Sequence, residues 1–215
     1  MNPHLALLLS AAYPRGLAPE HLADLRKSTI TDETIRAQHI MSVPPAMFGR
    51  LLGFDVPDVR SMMLLPFLAS GAGFIGHVRV KIFPELKGKD CHSTKYLQPR
   101  GSSPRLYFVT CCMDSVLRGD GPVWFVEGEK KALSVGQLGL SAVGFSGAEG
   151  WHRSGTRTLL EDFDAIQLWR REAELLPDGD VRSNVNVADA MRRFSAALRD
   201  RGARPRIRML PERAA

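Results

Sequence analysis

Val123-Trp124-Phe125-Val126-Glu127-Gly128-Glu129-Lys130-Lys131 passes from four apolar residues to a carboxylate, a glycine and a charged stretch. The apolar part has the length of a buried strand, and Glu129–Leu138 is predicted as a helix. Ser141–Phe145 is a second apolar strand, ending at Ser146-Gly147. A helix is predicted through Leu159–Leu168, then a shorter, more polar strand over Glu172–Leu176 before Asp178. Val187–Arg201 sets Ala190, Phe194 and Leu198 on one helical stripe; Gly202 ends it, and Arg206–Leu210 is predicted as a last strand. Strands alternating with helices imply an α/β domain over residues 121–215, a mainly parallel sheet flanked by helices.

Upstream, the pattern changes, so the chain is α+β overall. Residues 61–120 form a basic strand-rich segment. Met63–Leu68 is apolar but contains Pro66, which predicts a short or edge strand. Ser70-Gly71-Ala72-Gly73 is a turn. His77-Val78-Arg79-Val80-Lys81-Ile82 then alternates strictly, with His77, Arg79 and Lys81 on one face and Val78, Val80 and Ile82 towards a core. Lys87, Lys89, Lys95, Arg100 and Arg105 follow. Residues 1–60 are predicted helical. Pro19-Glu20-His21 opens one helix, Thr31 caps another ahead of Asp32 and Glu33, and Pro44-Pro45 ends it before a short helix over Ala46–Leu52.

Hydrophobic content of 44% with 24% charged residues is that of a folded globular chain and excludes general disorder. A net charge of +6 leans towards a polyanionic partner. The three cysteines contain no C-x-x-C pair, and Cys91-His92 with Cys111-Cys112 lacks zinc-site spacing. A reducing, cytoplasmic setting is expected. Leu5–Leu9 is short and has no Lys or Arg before it, so a packed helix is expected there rather than a signal peptide or membrane span. Gly71-Ala72-Gly73-Phe74-Ile75-Gly76 matches G-x-G-x-x-G, yet a strand rather than a helix is predicted next, which argues against a dinucleotide site. Gly144-Phe145-Ser146-Gly147-Ala148 lacks the last glycine of a nucleophile elbow. A turn able to offer backbone N–H groups to phosphate is the plainer account. There is no P-loop motif.

Glu127 directly follows its strand, and ligands of parallel sheets bind at the carboxyl ends of strands. Asp178-Gly179-Asp180 follows the third strand of the same domain; residues i and i+2 of an extended chain share a side. Three converging carboxylates repel unless a cation lies between them. Hard oxygen ligands select magnesium or manganese, ions that activate or clamp phosphoryl oxygens. Taken alone, a surface glutamate and an Asp-Gly-Asp turn account for the same residues.

The order strand, Glu127-Gly128, helix, strand, Ser146-Gly147, Asp178-x-Asp180, helix, strand resembles a toprim domain, the catalytic module shared by bacterial primases and type IA and II topoisomerases. Leu65-Pro66-Phe67, the strand holding Arg79, Lys95-Tyr96-Leu97 and Leu106-Tyr107-Phe108 resemble, in order, the basic segment that precedes toprim in bacterial primases. Glu127-Gly128-Glu129-Lys130-Lys131-Ala132, Gly147 with Trp151, Asn186-Val187 and Leu25–Ser42 are similar to the toprim-like part of phage and plasmid primase-helicases. The resemblance covers about residues 20–211. It implies Glu127 as the acid/base or metal-linked carboxylate and Asp178 and Asp180 as further metal ligands, holding magnesium or manganese. It implies Arg79, Lys81 and Lys95 at template or nucleotide phosphates, with Lys130 and Lys131 serving the same surface. The implied activity is primer-making nucleotidyl transfer in replication of a mobile element, with single-stranded DNA, NTPs and a separate replicative helicase as partners and no membrane. A toprim nuclease and a non-catalytic DNA-binding or partner-docking module are the alternatives. Eight arginines from Arg192 to Arg213 form a basic C-terminal run, read either as a solvated face or as an extended nucleic-acid footprint.

Overall fold

Val78, Val80 and Ile82 are fully buried and packed on Met62, Leu64 and Leu52, as strict alternation requires of a strand with one core face. They belong to the first of two units into which the chain divides, Met1–Ser102 and Ser103–Ala215. The computed structural model describes residues 16–69, 74–88 and 93–209; the side chains of Phe74 and Asp180 stand outside that description. The predicted Leu5–Leu9 helix, the turn at residues 70–73, Lys89, Cys91-His92 and residues from Leu210 onward are therefore outside the described residues.

The first unit is an antiparallel sheet in the order β1 (Met41–Val43), β2 (Ser61–Leu68), β3 (Phe74–Lys87), β4 (Ser93–Leu97). β1 is not foreseen from the sequence. Pro44 disfavours helix at the preceding residue, and Met41 to Val43 pair with Leu64 to Met62. β2, predicted to be short or at an edge because of Pro66, is eight residues long and internal. The β2–β3 register shifts between Pro66 and Leu68, and an irregularity of this kind is where a strand tolerates a residue without an N–H.

Met63, Leu65 and Phe67 are fully buried as well, so β2 is apolar on both faces and the face carrying Lys81 is not open to solvent. Helix α1 (Pro19–Arg26), started by a proline in its first turn, is tied to that face. Asp24 takes an ion pair from Lys81 at 2.5 Å, and His21 lies with its ring 4.8 Å from Phe83. Helix α2 (Asp32–Ala37) is capped by Thr31, whose hydroxyl accepts the Thr34 N–H at 3.2 Å. Helix α3 (Phe48–Leu52) ends at Gly53 in the left-handed conformation.

His21 is wholly buried, and its neighbours assign its tautomer. Ser42 Oγ accepts the Ala18 N–H at 2.7 Å and gives its own proton to Nδ1 at 2.7 Å. Ser61 Oγ donates to Glu20 at 2.5 Å and so accepts Nε2–H at 3.0 Å. Burial pushes the His21 pKa below the usual 6.5, outweighing Glu20 and Asp24, which raise it. A depressed histidine pKa means the unfolded chain takes up the proton first as pH falls. Stability is therefore complete above about pH 6.5 and declines below it, by up to roughly 1.4 kcal/mol per pH unit. His21→Gln is expected to be less stable at neutral pH and to lose part of this acid decline. Denaturant titrations of both proteins between about pH 7.5 and 5 measure it; superimposable pH profiles would contradict the assignment.

The second unit carries a five-stranded sheet in the order β5 (Tyr107–Phe108), β7 (Ser141–Phe145), β6 (Val123–Glu127), β8 (Glu172–Leu176), β9 (Arg204–Ile207). β7, β6, β8 and β9 are parallel, and β5 runs antiparallel to β7. Helices α4 (Met113–Arg118), α5 (Glu129–Gly136) and α6 (Val185–Asp200) accompany it. The mainly parallel sheet with helices is thus present. Leu106-Tyr107-Phe108, grouped above with the basic segment, supplies a strand to this sheet instead.

Phe194 of α6 organises the core. Trp151 stacks on it at 4.9 Å, and Phe125, Phe145 and Phe163 meet it edge-on at 5.4–5.7 Å. The helix predicted over Leu159–Leu168 is only a 3-10 turn, Glu161–Ala165. Leu160, Phe163 and Ile166 are buried at a spacing of three, which suits a 3-10 face. Asp162 is fixed from outside by Arg105 at 2.9 Å and the Leu106 N–H at 2.8 Å. β9 begins two residues before the predicted strand. Its Arg204 and Pro205 guard the sheet's edge against further pairing. The polarity of β8 is explained by Glu174, buried and held by Arg208 of the β9 end at 2.5 and 3.0 Å.

Candidate functional site

Glu127 is the last residue of β6, the middle strand of the five, and α5 begins two residues later. The strand-to-helix change is made at Gly128, whose φ of +92° and ψ of 139° are open to glycine. A Cβ there would touch nothing, so the backbone angle and not space demands glycine. The Gly128 N–H donates to Phe145 O at 2.8 Å, which ties the turn to the end of β7.

Pro177-Asp178 leaves β8 beside Glu127, because β6 and β8 pair in parallel up to Val126 opposite Leu176. The Asp178 N–H donates to Glu127 Oε2 at 3.0 Å. Asp178 Oδ1 forms an ion pair with Lys131, which projects from the first turns of α5. Two sequence-predicted carboxylates and one sequence-predicted lysine therefore meet at one point on the carboxyl edge of the sheet. The alternation expected to align Asp178 with Asp180 does not apply, since Gly179–Arg182 is a 3-10 turn and not extended chain. The Asp180 side chain lies outside the described residues. Lys130 is half-buried on the same helix as Lys131.

Ser146 Oγ donates to Glu129 Oε1 at 2.8 Å, and Glu129, at the start of α5, is 1% exposed. This buried carboxylate joins the β7 turn to α5. The sequence shows only an acidic residue in a first helical turn; its burial and partner depend on β7 lying beside β6. Gly150 fixes the same turn, because a Cβ would stand 2.2 Å from Ser146 O. His152 serves other groups, with Nε2 on Glu149 and Nδ1 on Arg153 O, each at 2.8 Å.

The first unit's basic residues have mixed employment. The Arg79 guanidinium stands 5.1 Å over the Tyr96 ring. Lys81 and Asp24 are only 12% and 16% exposed, a structural ion pair. Lys95 reaches Glu85 at 3.7 Å with both side chains exposed, a contact that contributes little. In the C-terminal run, Arg192, Arg193, Arg201, Arg206 and Arg208 pair with Asp189, Glu149, Asp164, Glu172 and Glu174, so much of its charge is answered locally.

Among the described residues no three His, Cys, Asp or Glu side chains are grouped to hold an ion. Two carboxylates on adjacent strand ends still fit magnesium, which keeps several waters and takes one or two protein carboxylates with substrate phosphates. They are hard donors, unsuited to soft metals. Cys112 offers no thiolate: the hydrogen bond its thiol makes to Cys111, and then burial, push its pKa up. No helix among the described residues is long and apolar enough to cross a membrane.

Residues 114–215 match the family described as Domain of unknown function (DUF3854). No curated protein matches the sequence. Similar solved structures include these two. One is the Aquifex aeolicus primase, comprising zinc-binding and RNA polymerase domains, at 15% identity and TM-score 0.68, covering 98% of this chain and 55% of that one. The other is the DnaG catalytic core, at 18% identity and TM-score 0.61, covering 98% of this chain and 72% of that one. This chain spans about half the length of the Aquifex aeolicus structure. At these identities the likeness is one of architecture: over nearly its whole length, the chain has a mixed α/β fold similar to bacterial primase cores.

Proposed function

We propose that the carboxyl edge of the parallel sheet carries magnesium- or manganese-dependent nucleotidyl transfer, making short primers on single-stranded DNA from NTPs. The observation that carries this reading is the meeting of Glu127 and Asp178 at adjacent strand ends, 3.0 Å apart through the Asp178 N–H. A toprim-like assignment of residues 121–215 places an acid/base or metal-linked carboxylate at Glu127 and metal ligands at Asp178 and Asp180. The metal, when bound, supplies positive charge against the charge that develops on the transferred phosphoryl group. Glu127 is held in orientation by the Asp178 N–H, so it is positioned before substrate arrives. The Glu129–Ser146 bond keeps the β7 turn in place. Residues 61–120 carry Arg79 and Lys95 for template or nucleotide phosphates. Lys130 and Lys131 serve phosphates beside the carboxylates; in the first unit, Lys81 would reach a phosphate only by leaving Asp24. Replication of a mobile element, in the cytoplasm and alongside a separate helicase, is the setting proposed.

The test is incubation of the protein with labelled single-stranded DNA, NTPs and magnesium. New strands that require both NTPs and metal are expected. Shortened template would replace this reading with a nuclease, and unchanged template with bound protein would replace it with a non-catalytic DNA-binding module.

A further inference from the structure

Asp178 does not face its site alone. Its Oδ1 is taken by Lys131, while the Glu127 oxygen nearest to it is taken by the Asp178 N–H. A cation that binds Asp178 through Oδ1 competes with Lys131 for that oxygen. The charges are two negative and one positive. A divalent ion added without moving the lysine would sit beside a like charge. The Lys131 side chain is 46% exposed, so its ammonium can exchange into solvent, while the oxygen it leaves, Asp178 Oδ1, is itself buried and needs another cation. A lysine ammonium is a point charge on a four-carbon stem, able to turn from a carboxylate to a phosphate without any change in the backbone. The Lys81–Asp24 pair is a contrast: both its members are largely buried and fixed.

Resting on the metal-dependent reading above, we propose that Lys131 is an exchangeable counter-ion that couples nucleic acid to metal. In the protein alone it neutralises Asp178. When a polyanion binds, Lys131 moves to a backbone phosphate and Asp178 becomes available to the divalent ion. Metal and nucleic acid then strengthen each other's binding by the same factor, as linkage requires. Lys131 is a positioning residue in this scheme, and its effect is on binding before any chemistry.

Manganese binding followed by electron paramagnetic resonance tests the scheme without reference to activity. The whole protein is titrated with Mn2+, with and without a short oligothymidylate, after subtracting binding to the oligonucleotide alone. For the natural sequence, oligothymidylate is expected to tighten Mn2+ binding about tenfold, within the usual range of coupled sites. Lys131→Met is expected to bind Mn2+ about tenfold tighter without DNA and to lose most of the coupling. Lys131→Arg, which keeps the cation, is expected to keep the coupling. Mn2+ binding and coupling identical in Lys131→Met and the natural sequence would overturn the proposal and leave the metal reading intact. Failure of both proteins to bind Mn2+, or full binding retained in Asp178→Asn, would overturn the metal reading and the proposal with it.

Discussion

Glu127→Gln is expected to lower primer synthesis by roughly a thousandfold, the scale of a lost acid/base or charge-stabilising group. Glutamine has the same length, and its amide oxygen can accept the Asp178 N–H that Glu127 Oε2 now takes at 3.0 Å. The turn between β6 and α5 and the approach of β8 are thereby preserved. What disappears is one negative charge at the middle of the carboxyl edge. The thermal midpoint should stay within about 2 °C of the natural protein's, since the Asp178 N–H keeps an acceptor. Rates of template-directed extension, measured on the purified variant at saturating magnesium, decide the matter. Residual activity within about threefold of the natural protein would remove Glu127 from the chemistry. Asp178→Asn is the companion change. It keeps the backbone N–H to Glu127 but dissolves the ion pair with Lys131.

Arg171→Met is expected to cost roughly 3 kcal/mol of stability and about 10 °C in thermal midpoint. The Arg171 guanidinium is buried and donates to four carbonyls within 3.3 Å: Val116 at 2.6 Å, Gly121 at 2.7 Å, Ser115 at 3.1 Å and Asp120 at 3.3 Å. Ser115 and Val116 are in the last turn of α4, where Ser115 O also accepts the Gly119 and Asp120 N–H groups at 3.2 and 3.0 Å, and Asp120-Gly121 leads into β6. One side chain therefore caps α4 and fixes the entry of the strand that ends in Glu127. Burial lowers the Arg171 pKa, with Asp120 opposing, so the burial has a real electrostatic cost offset by the hydrogen bonds. Methionine fills similar volume but removes the donor from the Val116 and Gly121 carbonyls, while Ser115 O keeps the Gly119 and Asp120 N–H groups and Asp120 O keeps the Ser141 hydroxyl. Lysine restores a charge without the planar fork and should recover less than half of the loss. Circular dichroism melts of the two variants give the comparison. A midpoint within about 2 °C for Arg171→Met would show that water replaces the guanidinium at little cost.

Much of the architecture is legible in the residues. The apolar run into Glu127, the Val78-Val80-Ile82 alternation and the Ala190-Phe194-Leu198 stripe are local periodicities, and a local period suffices to place a strand or helix. The elements that local periodicity misplaces depend on partners far along the chain. Pro66 signals an edge, but β2 is made internal by strands on both sides and by an irregularity at the proline. Leu159–Leu168 has helical composition, but Arg105 and the Leu106 N–H seize Asp162 and leave only a 3-10 turn. Lys81 has the spacing of a phosphate ligand, but α1 brings Asp24 onto it.

The site divides in the same way. Glu127 and Gly128 are legible because a strand, a carboxylate and a glycine adjoin in sequence, and a parallel sheet exposes that end. Asp178 is legible as the end of a third strand. That Asp178 contacts Glu127 through its N–H and Lys131 through its carboxylate is decided only by β6 pairing with β8, with α5 above them. Glu129 and Arg171 are likewise ordinary charged residues in the sequence, and only packing makes one the buried tie of the β7 turn and the other the cap of α4. By itself the sequence determines which elements form and which ends carry charge, because those depend on neighbours a few residues away. The tertiary structure decides which charges meet, because burial and ion pairing depend on groups brought together from tens of residues apart.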